Sequence, residues 1–349
     1  MMSSLRGIHP QTLRVIALAI VLAMVVLFFS SQIENYFSPR MFNRIATSAA
    51  VILPIAIGQA MVVMTRNVDL SVGSMVGIVA YLVGDFLGAH QGFGPFSTLL
   101  LALFMGAMCG AINGALVAYG RVPSIITTLG TLALFRTFLV EYSDARTITT
   151  DSLPSWIVEF PQAVLFSIGS FEVRATVVVA LIAAVIFGLA LSRLRVARKL
   201  YAVGSNPDAA VMSGINSARV VFTAFTLSGA LAGLSGLIFL AKFGNITVVA
   251  GLGFELKSIA AVVVGGVNIF GGSGTILGVV LGTLLVDTLD NSLTRWAVVS
   301  EFWRDALLGM LIMTAVAADT FMARSFTRMR RKKILAPAST PVKTSEHAV

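Results

Sequence analysis

Residues 64–77 read MTRNVDLSVGSMVG and place Arg66, Asn67, Asp69, Ser71 and Ser74 between two apolar runs. A guanidinium, an amide, a carboxylate and two hydroxyls in so short a stretch suit hydrogen bonding and gating. A charge at the bilayer centre costs about 2.5–3.5 kcal/mol on the mildest scale. Polar backbone at that depth is tolerated only where protein or a water-filled cavity covers it. The stretch is therefore either a surface turn between helices or a buried functional break. Arg66, Asn67 and Asp69 then bridge a broken helix or pair at a gate. In the plainer alternative Arg66 is a topogenic charge, and Asp69 caps the following helix, where a carboxylate suits the positive end. The two readings are compatible. Ser71, Ser74, Thr127, Thr128 and Asn268 are neutral donors and acceptors suited to lining a path for a hydroxylated solute. Their plainer role is bonding to neighbouring backbone within a bundle.

Catalytic chemistry is not in view. His9, His90 and His347 stand apart, without partners at ligand or base spacing. No Lys follows a Gly, so the chain has no GxxxxGK[ST] phosphate loop. The sequence is expected to be no enzyme, with no cofactor and no metal. ATP, if it powers this chain, is hydrolysed by another polypeptide.

The surroundings of these residues are those of a bilayer. Of 349 residues, 57% are hydrophobic and 12% charged, with a mean hydropathy of +0.91. Soluble domains carry about 25% charged residues. The fold expected is an all-α polytopic membrane protein of about ten transmembrane helices. Its net charge of +9 is no nucleic-acid signal, because the basic clusters at 193–199 and 324–333 flank apolar runs, as cytoplasmic loops do. Cys109 is alone, so there is no disulfide framework.

Spans of ~20 apolar residues are expected near 13–29, 45–64, 71–87, 96–119, 123–140, 175–191, 220–240, 255–270, 275–293 and 303–321. They form one membrane domain, 1–335, in the inner membrane, with both termini cytoplasmic. A disordered tail follows at 336–349. Pro54 falls inside the second span. Gly73 and Gly77, then Gly106, Gly110 and Gly114, then Gly274, Gly278 and Gly282 recur every four residues. Such spacing gives a smooth face for close helix contact. An internal duplication is suggested by a shift of 201 residues, which matches Val62, Val63, Asn67, Gly73 and Gly77 to Val263, Val264, Asn268, Gly274 and Gly278. Paired halves with interrupted helices are a common transporter plan.

The inner loop 193–219 contains KLYAVGSNPDAAVMSGIN. Ser205 or Asn206, then Pro207 and Asp208, is a helix start, and Gly214 a stop. A short cytoplasmic helix over 207–213 is expected, with Ala209, Ala210, Val211 and Met212 on a face suited to docking.

These windows resemble a family. TRNVDLSVGS at 65–74, VPSIITTLGTLALFR at 122–136, AVGSNPDAAVMSGIN at 202–216 and AVVVGGVNIFGGSGTILG at 261–278 are similar to the permease subunits of carbohydrate ABC importers. That class serves ribose, xylose, arabinose and related ligands. The TRN-V-DLSVGS wording is most similar to the rhamnose or autoinducer-2 branch. The resemblance implies a pore of two permease chains, identical or sister, in membrane lipid. It implies a cytoplasmic ATP-binding subunit dimer, a periplasmic substrate-binding protein and no nucleic acid. It makes 204–214 the ATPase-coupling helix, with Gly204, Ser205, Asn206, Pro207, Asp208, Ala209, Ala210 and Gly214. On that reading Gly204→Trp or Pro207→Leu leaves the chain folded and uncouples transport. Asp287 and Asp290 sit near the outer end of the ninth span, where they meet the binding protein or ligand, or simply water. Glu255 and Lys257 are expected to snorkel to the interface. The rivals are an ion-coupled secondary transporter, for which Asp69 is the mid-membrane carboxylate, and the permease of an amino-acid ABC importer.

Overall fold

A computed structural model describes residues 10–296 and the isolated positions 303, 306, 307, 309, 310, 313, 314 and 317. The helices in order are α1 (Pro10–Gln32), α2 (Pro39–Met64), α3 (Val72–Ala89), α4 (Pro95–Ala118), α5 (Ser124–Ser143), α6 (Ser155–Glu159), α7 (Ala175–Arg193), α8 (Arg195–Ser205), α9 (Pro207–Met212), α10 (Ser217–Phe243), α11 (Phe254–Val264) and α12 (Ile276–Arg295). One antiparallel hairpin, β1 (Val164–Ile168) with β2 (Phe171–Arg174), lies between α6 and α7.

The helix starts follow from local chemistry. Proline opens α2, α4 and α9, where its missing N–H would have no partner in any case. Asn206, Asn216 and Thr275 accept the backbone N–H of Ala209, Arg219 and Gly278 at 3.0–3.1 Å.

Eight of the described helices are long and apolar enough to cross a membrane. They sort by burial. The apolar window of α2 is 83% buried and that of α1 11%, so α2 is the axle and α1 an outer stave. α10 packs on both α2 and α3, and α12 closes the other side of α2. Peripheral helices turn apolar stripes outward: Leu100, Phe104, Met108, Ile112 and Leu116 on α4 are exposed at four-residue intervals. In a membrane such a stripe meets acyl chains, while the opposite face of α4 carries Gly106, Gly110 and Gly114.

Three expectations change. The eighth span, expected at 255–270, is the 11-residue α11, about 16 Å at 1.5 Å per residue and half of a ~30 Å hydrocarbon core. It stops because Gly266 turns left-handed at φ +81. Gly274, placed on the ninth span, precedes α12 at φ +159. The inner loop holds a helix besides α9: α8, with Ala197, Leu200 and Val203 buried and Arg195, Arg198 and Lys199 outward. The tenth span, the basic cluster at 324–333 and the tail lie outside the described residues, apart from the isolated positions named.

Candidate functional site: two helix breaks and the loop that ties them

α2 and α11 end alike. Arg66 N–H bonds to Val63 O (2.9 Å) and Asn67 N–H to Val62 O (3.3 Å). Gly266 N–H bonds to Val263 O (3.0 Å) and Val267 N–H to Val262 O (3.1 Å). This is the 5→2, 6→1 closure of a helix C-terminus. The helix ends therefore correspond at an offset of 200, one residue less than the sequence match.

The left-handed position is Gly266 in one break and Arg66, at φ +66, in the other. An L side chain there costs about 1–2 kcal/mol. The Arg66 guanidinium shows what holds it: Nε donates to Gly204 O (2.5 Å) and Nη2 to Ser205 O (2.6 Å), the last carbonyls of α8. Gly272 N–H, in the loop after α11, donates to Met64 O (3.0 Å). Tyr201 of α8 donates its hydroxyl to Gly274 O (3.1 Å), and burial pushes that hydroxyl's pKa up. Both breaks and the end of α8 meet at one junction.

Gly204 lies at its centre. A Cβ there would stand 1.7 Å from Met64 O and 2.5 Å from Gly272 N. Gly204 is buried, not part of an exposed docking helix, and the expectation that Gly204→Trp leaves the chain folded is overturned. The exposed face is shorter than expected. Val211 and Met212 are 59% and 90% exposed, whereas Ala210 is 4% exposed and faces inward. Ser205 and Asp208 are exposed and Pro207 half-buried.

The turn from α2 into α3 is held by a buried polar network. Asp69 Oδ1 accepts from Ser71 N–H (2.9 Å), Ser71 Oγ (2.6 Å) and Asn113 Nδ2 (3.4 Å). Asn113 Nδ2 also donates to Ser71 Oγ (2.7 Å). With its amide turned to match, Gln59 of α2 pairs with the backbone N–H and C=O of Asp69 at 3.2 and 3.1 Å. Asp69 does not cap α3 in the expected way: it bonds Ser71, the N-cap residue itself, and closes the turn before the helix. Ser74 Oγ donates to Ser71 O (2.8 Å). From α5, Ser124 Oγ accepts Val68 N–H (3.3 Å) and Thr128 Oγ1 donates to Ser124 O (2.9 Å). Thr127 Oγ1 is buried without a partner among the described residues. Asn67 Nδ2 donates to Thr65 O and Oγ1, each at 3.0 Å. Asn268 Oδ1 accepts Phe270 N–H (2.9 Å) in the second break.

The structure thus gathers Arg66, Asn67, Asp69, Ser71, Ser74 and Thr128 around one break and puts Asn268 in the other. Gln59 and Asn113 were missed by sequence reasoning. Each is an amide inside an apolar span, and that polarity was the available signal, since a buried amide needs a partner. Asp69→Leu removes an acceptor shared by three donors. It is expected to destabilise the protein by ~3 kcal/mol, at about 1–3 kcal/mol per stranded donor. Asp69→Asn, which keeps Oδ1, is expected to cost clearly less. Equal melting temperatures in detergent for the two variants would sink this account.

The packing glycines face backbone. Gly73 and Gly77 lie under the loop before α11, where an added Cβ would stand 2.5 Å from Gly251 O and 2.4 Å from Ala250 O. Arg136 of α5 anchors that loop through Val248 O (2.7 Å) and Ala250 O (2.8 Å). Gly278 and Gly282 approach Gly265 O and Ala261 O, so α12 packs on α11. Lys257 does not snorkel. Its Nζ pairs with Asp290 Oδ2 at 2.8 Å, and Asp287, 1% exposed, accepts from Ser48 Oγ at 2.8 Å. Both aspartates face the bundle interior.

A family model described as branched-chain amino acid transport system / permease component matches residues 41–316. The chain is 35% identical over 300 residues to the autoinducer 2 import system permease protein LsrC of Yersinia pseudotuberculosis (strain IP 31758), covering 85% of this chain and 83% of that one. It is 36% identical over 286 residues to the protein of the same name from Yersinia enterocolitica, covering 82% and 77%. No solved structure matches the chain.

Proposed function

We propose, from the premise that this chain belongs to the branched-chain amino acid transport system / permease component family, that it works as follows. It is the transmembrane permease subunit of an ATP-driven importer for a monosaccharide or sugar-like small molecule of the ribose, rhamnose or autoinducer-2 type. It is a multi-pass protein of the inner membrane, with both termini on the cytoplasmic side. ATP hydrolysis resides in a separate cytoplasmic subunit dimer, and a periplasmic binding protein delivers the ligand. A second permease chain, identical or sister, completes the pore. The names of its relatives support the ligand class.

The observation that carries the mechanism is the junction at Gly204. α9, with Val211 and Met212 outward, is a docking element for the ATPase. It follows α8, whose last carbonyls are held by Arg66 of the first break, while Met64 is bonded to the second break through Gly272. A push on α9 reaches both breaks through the Arg66 clamp and through the backbone contact of Gly204 with Met64 and Gly272. Asp69, Ser71, Ser74, Thr127, Thr128 and Asn268, which border the breaks, are the path or gate groups that such a movement rearranges. The mechanism is alternating access.

The test is co-purification from mildly solubilised native membranes. Val211→Ser with Met212→Ser is expected to leave the melting temperature unchanged and to lower recovery of the ATP-binding subunit about tenfold, because apolar contact on α9 anchors it. Full recovery would refute the docking role. The family's description favours a second reading, an amino-acid importer. Uptake of labelled leucine, with none of a labelled pentose, rhamnose or autoinducer-2, would install that reading instead.

A further inference from the structure

At the end of the bundle away from α9, a cavity of about 430 Å³ opens beneath the segment joining α5 to α7. This is within the size range of small-molecule sites. Thr47 of α2, Thr150 and Gln162 of the joining segment, Arg174 and Thr176 at the start of α7, and Lys242 near the end of α10 supply its polar wall. Among the described residues no carboxylate lines it.

Two groups in that wall lack the partners burial demands. Thr176 is 1% exposed, and its Oγ1 has no hydrogen bond among the described residues. Arg174 Nε is buried without one among the described residues. In folded proteins such groups are nearly always satisfied, so each exception calls for a partner. Lys242 makes no ion pair among the described residues; its Nζ stands 5.2 Å from the centre of the Phe243 ring. The charges around it are Asp287, Asp290, Lys257 and Arg44. Of these, Asp290 is engaged by Lys257 at 2.8 Å, and Asp287 accepts from Ser48. Both carboxylates lie outside the cavity lining.

We propose that this cavity binds a small organic or inorganic oxyanion, held through a carboxylate or phosphate group. Arg174 and Lys242 supply the charge, and Thr176 donates its hydroxyl. Oxyanions accept several charge-assisted hydrogen bonds at once, which is what this wall offers. The cavity lies apart from the helix breaks, and the site is tested without transport.

The full chain is purified in a phosphate-free detergent. Its thermal midpoint is followed against inorganic phosphate at constant ionic strength, with chloride as the balancing salt. A saturable rise is expected. Arg174→Gln and Lys242→Gln are expected to weaken half-saturation about tenfold or more, and Thr176→Val several-fold. Arg121→Gln, away from the cavity, leaves it unchanged. Arg174→Lys and Lys242→Arg keep the charge and recover part of the response; they stand in if a glutamine variant fails to fold. The same titration in nanodiscs separates the sources of the oxyanion. A headgroup occupant raises the midpoint in anionic lipid and abolishes the phosphate response there, whereas a soluble occupant leaves the response intact in both lipids. No saturable response in wild type, or an equal one in Arg174→Gln, overturns the proposal.

Discussion

Gly204→Ala is expected to lose stability and transport together, although it adds one methyl group to a helix. In most helices this exchange gains up to about 1 kcal/mol. Here the new Cβ would stand 1.7 Å from Met64 O and 2.5 Å from Gly272 N. Both are backbone atoms, already bonded to each other at 3.0 Å, and neither can swing aside as a side chain would. Relief requires α8 to withdraw from α2, which takes Gly204 O and Ser205 O off the Arg66 guanidinium. Overpacking costs roughly 1–3 kcal/mol, and each lost charge-assisted bond adds about 1.5–3 kcal/mol. The expected total is ~4 kcal/mol, large for a single substitution. Gly130→Ala on α5 is the matched control: nothing lies within 4 Å of its added Cβ, and it should melt at or slightly above wild type. A Gly204→Ala protein with the wild-type midpoint and full uptake would show that α8 is not seated on α2.

Gly229→Leu is expected to abolish accumulation of folded protein. α4 and α10 pack through glycine against glycine. A Cβ at Gly229 would meet Gly106 O at 2.2 Å and Gly110 N and Cα at 2.7 Å. From the other side, a Cβ at Gly106 or Gly110 would stand 2.2 Å from Gly229 O or Phe225 O. Elsewhere an enlarged residue can be accommodated by shrinking its neighbour, but here the neighbour is already glycine. In lipid the loss is severe, since helix association rests on van der Waals packing of small residues rather than on expulsion of water. Even Gly229→Ala should cost about 1–3 kcal/mol. Size-exclusion profiles of detergent extracts read both outcomes. A monodisperse Gly229→Leu peak at wild-type yield would mean that this contact is dispensable.

Much of the fold was legible because lipid imposes a simple rule: a spanning helix must be long, apolar and internally bonded. The runs that became α1, α2, α4, α5, α7, α10 and α12 satisfy that rule without reference to anything else in the chain. The signals at 206–214 were also local, since an Asn cap, a proline in the first turn and a glycine stop act within a few residues. The run 255–270 misled because its apolarity continues past Val264, while what ends α11 is the left-handed turn at Gly266. Glycine permits that turn but does not announce it. α8 was overlooked because its stabilising face, Ala197, Leu200 and Val203, is short and set among basic residues.

The candidate site divides along the same line. Composition alone determined that this is a membrane protein. Local spacing alone determined that polar chemistry concentrates at 64–77 and that glycines would line helix contacts. Those properties follow from short-range sterics and transfer energies, which depend on residue type and near neighbours. Only the tertiary structure decided what those groups touch. Arg66 could have been a charge left at a surface; it is the clamp on α8, across 138 positions of sequence. Asp69 could have capped α3; it closes the turn before that helix, held by Ser71, Asn113 and Gln59, which come from three helices or their ends. Lys257 found Asp290, and Gly204 found Met64. A hydrogen bond or a backbone contact is fixed by ångström distances between segments far apart in the chain, and no local pattern encodes which segments will meet.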